Sequence, residues 1–178
     1  MIDVLRHELD RNLVVLAPTG VAALNVGGQT IHSFFQLPPG PQPIGRKLQG
    51  VSRDVVAKMD ILIIDEVSMV RADLLDAIDE SLRTNTGKTG VPFGGKTVLL
   101  IGDMHQLPPV ISGGEEARLF EEVYESPYFF SAYCLQGLPL VTRTLTQSFR
   151  QADEEFVAIL NDLRVGTNLE STVKELNN

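Results

Sequence analysis

The sequence has no tryptophan, only one cysteine and no apolar run long enough to cross a membrane. Cys134 cannot form an internal disulfide, and it leaves no cysteine cluster for zinc or iron. The amino end also lacks a basic start followed by an apolar run, which excludes a recognisable export signal. We therefore expect an intracellular protein without a membrane segment, in the cytoplasm or nucleoid, or in the nucleus or mitochondrion of a eukaryote.

Positive charge is scarce as well. The formal net charge is -8 at pH 7, which argues against nucleic-acid binding that depends mainly on many Lys and Arg contacts to phosphates. Any contact with a nucleic acid must be local. Hydrophobic residues make up 43% of the 178 residues. This composition predicts one folded domain over 1–178, with flexible Gly-rich and Pro-rich segments at about 36–50 and 84–96.

Four apolar runs predict strands: Leu13 to Ala17, Ile61 to Ile64, Val98 to Ile101, and the weaker, alternating Leu140 to Leu145. The first three show no alternation, which is typical of parallel strands covered by helices on both faces of a sheet. Helical patterns run over Met1 to Leu9, from about Val70 to Arg83 with Ser68 as the expected cap, and over Glu154 to Arg164. The sequence therefore predicts an α/β fold with a mainly parallel sheet.

Two adjacent carboxylates follow the second apolar run. Ligands of open α/β sheets bind at the carboxyl ends of the strands, and Asp65 and Glu66 stand at such an end. One carboxylate can hold Mg²⁺, directly or through water, while the other orients the water that attacks a γ-phosphate. We assign the metal to Asp65 and the water to Glu66. The alternative is that Asp65 caps the following helix and Glu66 is solvated.

Further candidates lie near two later runs. Gln106 follows the strand predicted at Val98 to Ile101, and its neutral amide can both donate and accept, so it could sense whether the terminal phosphate is present. Arg150 could stabilise the transferring phosphate as an arginine finger, although taken alone it is better explained as a surface arginine.

The segment from Gly90 to Thr97 matches the phosphate-loop pattern G-x-x-x-x-G-K-[ST] letter for letter. A true loop of this kind leaves a strand and opens a helix, whose first backbone N–H groups bind the phosphates. Here a predicted helix precedes the glycines and a predicted strand follows Thr97. We interpret the segment as a turn with Lys96 solvated.

Polar groups after the first run are candidates for contact with single-stranded nucleic acid. Pro18, Thr19 and Gly20 form a tight turn that opens a short helix of small residues, and backbone amides at such helix starts can bind phosphates. A simple connecting turn is the alternative. Thr30 and His32 follow, and for His32 a structural role and a binding role are equally consistent with the sequence. The neighbouring Phe34 and Phe35 are expected in the core.

The ordered set of these segments resembles superfamily-one DNA helicases, above all the Pif-one group, with RecD-like relatives next. The resemblance is carried by Ala17-Pro18-Thr19-Gly20, Thr30-Ile31-His32-Ser33, Asp65 to Met69, Gly102 to Pro109, and Gln147 to Gln151. It implies motifs Ia, Ib, II, III and IV of a first RecA-like motor domain. It also implies ATP and Mg²⁺ as cofactors, Asp65, Glu66, Gln106 and Arg150 as catalytic residues, and 5′-to-3′ movement on single-stranded DNA.

The resemblance also sets expectations about what this chain lacks. The family's Walker A loop, with its strand, would lie upstream of Met1, and the second RecA-like domain would follow Asn178. We therefore expect single-stranded DNA and that second domain as partners, and a monomer that alone neither hydrolyses ATP efficiently nor unwinds DNA. Two alternatives remain: a non-catalytic nucleic-acid-binding or regulatory module with a degenerate phosphate-loop fold, and a different phosphate-loop ATPase such as a partitioning or transport motor.

Overall fold

The computed structural model describes residues 11–45, 53–145, 154–167, 169, 173 and 174. The strands are Leu13–Ala17 (β1), Gln29–Thr30 (β2), Ile61–Ile64 (β3) and Thr97–Leu100 (β4). The α-helices are Gly20–Asn25 (α1), Ile31–Phe35 (α2), Arg53–Lys58 (α3), Ala72–Thr86 (α4), Glu115–Glu122 (α5) and Glu154–Val165 (α6). Short 3₁₀ helices cover Val67–Met69, Pro92–Gly95, Phe129–Ser131 and Tyr133–Leu135.

The described strands form one parallel sheet in the order β2-β1-β3-β4. Its register pairs Leu13 with Ile61 and Ile61 with Thr97. The bounds predicted for β1 and β3 are confirmed, and β4 begins and ends one residue earlier than its apolar run. The predicted α/β fold with a parallel sheet is therefore confirmed, in the sense that parallel strands alternate with helices along the chain.

The core lies where β3 meets the apolar stripe of α4. Leu62, Ile63 and Ile64 are fully buried, because β3 is an inner strand of the sheet. The apolar stripe predicted from the helical periodicity belongs to the same hydrophobic cluster as this strand. All of its residues are buried: Val70, Leu74, Leu75, Ile78 and Leu82. Phe35 is fully buried and Phe34 half-buried, as expected of core aromatics.

The strand predicted at Leu140 to Leu145 is wrong. These residues form no strand, and Val141 and Leu145 are 79% and 82% exposed. Alternation between apolar and polar residues stabilises a strand only if one face is buried, and here neither is. The fourth strand of the sheet is instead β2, which has only two residues and was not predicted.

The start of α4 also differs from the prediction. Ser68 does not cap it, because Ser68 belongs to the preceding 3₁₀ helix and its hydroxyl is buried without a partner among the described residues. The residue before the first turn is Arg71, which makes no side-chain capping bond. At its other end α4 continues to Thr86, into the segment predicted to be flexible. Gly87 in the left-handed conformation ends it.

The chain divides into two units, Met1–Leu138, which contains the sheet, and Pro139–Asn178, which contains α6. The helix predicted at Met1 to Leu9 lies outside the described residues, as do 46–50 of the first flexible segment, and the single domain over 1–178 stays a prediction. Within the described part of the chain, no helix is both long and apolar enough to cross a lipid bilayer.

Candidate functional site

The parallel sheet brings the predicted site segments to one edge. All four described strands run the same way, so their carboxyl ends share that edge. The strand order places the turn that begins with Pro18 and the segment that begins with Thr30 side by side, at the ends of β1 and β2. It places the carboxylates after β3 next to the segment that follows β4.

The turn that carries Asp65 and Glu66 is fixed from both sides. The backbone N–H of Asp65 donates to the carbonyl of Leu16 at 2.9 Å, and that of Val67 donates to the carbonyl of Ile101 at 2.9 Å. Between these two bonds Glu66 adopts the left-handed conformation, with φ 52°. A non-glycine residue keeps this conformation only where its surroundings impose it.

Both carboxylates are half-buried, and neither has a hydrogen bond or an ion pair from its side chain within the described residues. The alternative that Asp65 caps the next helix is therefore wrong: the 3₁₀ helix Val67–Met69 has no side-chain cap, and neither has α4. Two unpartnered carboxylates at a sheet edge are available for a cation and a water.

Gly102 lets the segment after β4 touch this turn. A Cβ built on Gly102 would lie 3.0 Å from the backbone nitrogen of Val67 and 3.1 Å from that of Ser68. Only a residue without a side chain allows this approach without displacement. The Asp65–Glu66 turn and the Gly102 segment therefore form one packed unit.

Gln106 belongs to a hydrogen-bonded turn organised by Asp103. Its backbone N–H donates to the Asp103 carbonyl at 3.0 Å, and its side-chain amide donates to the Asp103 carboxylate at 3.1 Å. The other oxygen of that carboxylate accepts from the backbone N–H of His105. Gln106 is exposed. Its amide oxygen has no protein donor within the described residues, so it can accept a bond from a ligand or water.

The candidate nucleic-acid segments are organised by two threonine caps. Thr19 accepts from the backbone N–H of Ala22, and Thr30 accepts from that of Ser33, both at 3.2 Å. These acceptor bonds explain why short helices begin here, and they leave each hydroxyl proton able to donate. The turn is open beside Gly20, where an added Cβ would meet no atom within 4 Å.

His32 lies half-buried at the same edge. Burial lowers its pKa below the usual 6.5, the charge of Arg71 lowers it further, and Asp73 opposes the shift. His32 is therefore held as a neutral imidazole near neutral pH. A neutral ring donates one hydrogen bond and accepts another, and it adds no positive charge to the edge.

A family model described as PIF1-like helicase matches residues 1–174. The chain belongs to the PIF1-like helicase family. The resemblance drawn from the ordered motifs is thereby confirmed.

Curated relatives show the same likeness over most of the chain. It is 37% identical over 169 residues to the ATP-dependent DNA helicase PIF1 of Emericella nidulans, a match that covers 92% of this chain and 21% of the relative. It is 33% identical over 167 residues to human ATP-dependent DNA helicase PIF1, covering 92% of this chain and 24% of the relative. The chain thus spans less than a quarter of the length of these relatives.

Solved structures of Pif1 helicases have the same fold. The structure of Bacteroides Pif1 bound to ssDNA is similar with a TM-score of 0.91 and 37% identity, and the match covers 98% of this chain and 42% of that chain. The Bacteroides Pif1 complex with ADP-AlF3 and ssDNA gives a TM-score of 0.90 at 37% identity, covering 97% and 41%. The sheet described above is therefore that of a PIF1-like helicase domain.

The phosphate-loop pattern of Gly90 to Thr97 lies at the opposite end of the sheet. No helix follows it, because β4 begins at Thr97 after a 3₁₀ turn. The interpretation as a turn is confirmed, but the prediction that Lys96 is solvated is wrong. Its ammonium donates to the carbonyls of Ala57 and Met59 at 3.2 and 2.6 Å, where α3 ends. The Lys96 side chain therefore caps the carboxyl end of α3.

The structure does not test every candidate. Arg150 lies outside the described residues, so its role as an arginine finger stays a prediction. A cavity of about 420 Å³ beside α4 is lined by residues such as Ile44, Asp76 and Tyr133, and none of the described site candidates lines it. The candidate site is thus a sheet edge rather than this cavity.

No role was predicted from the sequence for Arg71, which lies immediately before α4. Its side chain is 12% exposed and forms ion pairs with Asp73 and Glu116. The local signal is an arginine two residues before an aspartate where α4 begins, and two residues after the 3₁₀ helix that follows Asp65 and Glu66. Glu116 and the third partner, Gly40, are 45 and 31 residues away, so only the fold reveals them.

Proposed function

We propose that this chain is the ATP-hydrolysing part of the first motor domain of a DNA helicase, which couples ATP hydrolysis to 5′-to-3′ translocation on single-stranded DNA and to duplex unwinding. In this proposal the helicase is a longer protein, and the chain works together with its second RecA-like domain. The 178 residues alone are expected neither to hydrolyse ATP efficiently nor to unwind DNA.

One observation carries the proposal: Asp65 and Glu66 stand unpartnered on a fixed turn, in contact with the Gly102 segment that leads to Gln106. Glu66 orients and polarises the attacking water. Its imposed backbone conformation fixes the point from which the side chain extends. Gln106 senses the γ-phosphate with the amide N–H that it does not donate to Asp103, and its free amide oxygen can accept from a water. Arg150 is the proposed arginine finger.

The donor set fits Mg²⁺. The Asp65 carboxylate offers the hard oxygen that this ion prefers, directly or through water, and the described residues contain no group of three or more His, Cys, Asp or Glu side chains that could hold a metal by themselves. A single carboxylate is enough where nucleotide phosphates and waters complete the coordination. When bound, the ion neutralises phosphate charge.

Pro18, Thr19, Gly20, Thr30 and His32 are proposed to contact single-stranded DNA at the ends of β1 and β2. The open space beside Gly20 and the hydroxyl protons left by the two threonine caps suit backbone phosphates. Such a local site does not need a basic surface, which is consistent with the net charge of -8.

The test is Glu66→Gln in the full-length protein that contains these residues. Removing a general base typically costs about 10²–10⁴-fold in rate, so DNA-stimulated ATP hydrolysis should fall by at least about a hundredfold while ATP affinity stays within roughly twofold. The matched control is Glu80→Gln on α4, which should keep wild-type turnover. DNA-stimulated hydrolysis retained in Glu66→Gln would remove Glu66 from the mechanism, whereas a wild-type protein without ATP hydrolysis would favour the non-catalytic module.

A further inference from the structure

The guanidinium of Arg71 is a junction between three segments of the chain. Its Nε and Nη2 donate to the two carboxylate oxygens of Asp73, at 2.9 and 3.0 Å. Nη1 donates to Glu116 at 2.7 Å, and Nη2 also donates to the carbonyl of Gly40 at 2.7 Å. Both acids are buried, so the ion pairs are shielded from water and the geometry is well defined.

Each partner is further tied to its own surroundings. Asp73 also accepts from the backbone N–H of Gln42 at 2.8 Å, which fixes the loop that contains Gly40 a second time. The second oxygen of Glu116 accepts from the backbone N–H of Ser112 at 2.6 Å. Arg71 therefore joins the start of α4 to two loops rather than to single side chains.

These loops continue from the proposed binding segments. The Gly40 loop follows α2, which begins after Thr30 and contains His32. The Ser112 segment continues the chain from Gln106, and Arg71 itself follows the 3₁₀ helix that comes after Asp65 and Glu66. The charge of Arg71 also reaches His32, where it helps to lower the pKa.

We propose that Arg71 is a positioning residue that keeps the single-stranded DNA segment, the Asp65–Glu66 turn and the Gln106 segment in one fixed arrangement for DNA-stimulated ATP hydrolysis. This inference rests on the proposed function. Arginine suits the role because its planar fork holds several acceptors in fixed directions, whereas the lysine ammonium is a compact charge on a flexible stem.

The test replaces Arg71 by Lys in the full-length protein, which keeps the charge and removes the fork. A misplacement of about 1 Å can cost roughly a hundredfold in rate, so a shift of about half that size should lower kcat at saturating DNA about tenfold. The KM for ATP should change less than about twofold, because the guanidinium of Arg71 is occupied by Asp73, Glu116 and Gly40.

Arg83→Lys is the matched control. Arg83 lies near the other end of α4 and likewise pairs with a buried acid and a carbonyl, those of Asp79 and Thr89. Arg83→Lys should lower thermal stability about as much as Arg71→Lys does, because each variant loses a partly buried arginine fork. It should keep kcat within about twofold of wild type. Equal kcat in the two variants would overturn the inference.

A second variant covers the case in which Arg71→Lys does not fold. Glu116→Gln removes one charge and keeps the side-chain shape, and it should lower kcat about threefold by loosening a single link, a smaller shift than the loss of the fork. Unchanged kcat in Glu116→Gln would then overturn the inference. Wild-type protein without DNA-stimulated hydrolysis would instead refute the proposed function, and this inference with it.

Discussion

Substituting Gly102 by Ala tests whether the contact between the two turns is needed for catalysis. The added Cβ would lie 3.0 Å from both the backbone nitrogen and a side-chain methyl of Val67, and 3.1 Å from the backbone nitrogen of Ser68. Two of these three atoms are backbone and cannot rotate away, so one segment must shift by a few tenths of an ångström. Overpacking of this kind costs about 1–3 kcal/mol of folding free energy.

The same shift moves Asp65 and Glu66 relative to the Gln106 segment. If about 1 Å costs roughly a hundredfold in rate, about 0.3 Å corresponds to a loss of roughly fourfold in kcat. Urea unfolding of the 178-residue chain measures the first effect, and DNA-stimulated ATP hydrolysis by the full-length protein measures the second. We expect both losses together.

Gly90→Ala is the control, because a Cβ there meets no atom within 4 Å and Gly90 does not have a positive φ. It should be neutral, or stabilising by about 0.4–1 kcal/mol through the unfolded chain. If Gly102→Ala were less stable but kept wild-type kcat, the contact between the turns would be structural only. If it lost no stability, the close approach itself would be refuted.

Two further predictions concern charged side chains away from the site. Lys96→Ala should cost about 1 kcal/mol in a urea titration, because two carbonyls at the end of α3 lose their donor, and should leave ATP affinity within about twofold. The control is the exposed Lys88→Ala, which should cost less than about 0.5 kcal/mol. A large loss of ATP affinity in Lys96→Ala would instead indicate that the segment from Gly90 to Thr97 is a phosphate loop. Glu116 has a pKa below its usual 4.5, mainly because the backbone N–H of Ser112 donates to it. The unfolded chain therefore binds this proton more readily, so the stabilisation is present above about pH 4.5 and is lost as the pH falls through the lowered pKa. The difference in unfolding free energy between wild type and Glu116→Gln should be largest at pH 7 and shrink below pH 4.5, and a constant difference would contradict this assignment.

Buried parallel strands could be predicted from the sequence because their apolar character depends on burial alone. β1 and β3 have the predicted bounds, since the inner strands of a sheet covered by helices need no polar face. β4 is displaced by one residue because backbone pairing, with Thr97 opposite Ile61, decides where it begins. The same logic located Asp65 and Glu66, because residues after such strands reach one edge.

Features that depend on distant partners could not be predicted. β2 has two polar residues, too few for any periodicity, and exists because it pairs with Leu16 and Ala17. The apolar residues at 140–145 stay exposed because no strand pairs with them within the described residues. The role of Arg71 depends on a carbonyl and a carboxylate that only the folded chain brings near.

The backbone at Glu66 shows why the sheet, rather than local sequence preference, determines the site. A left-handed non-glycine residue costs about 1–3 kcal/mol, and no local hydrogen bond from the Glu66 side chain offsets this cost within the described residues. What imposes the conformation is the pair of bonds on either side, from Asp65 to the end of β1 and from Val67 to the end of β4. Changing this conformation would strain both bonds, so the backbone position of Glu66 depends on the packing of three adjacent strands.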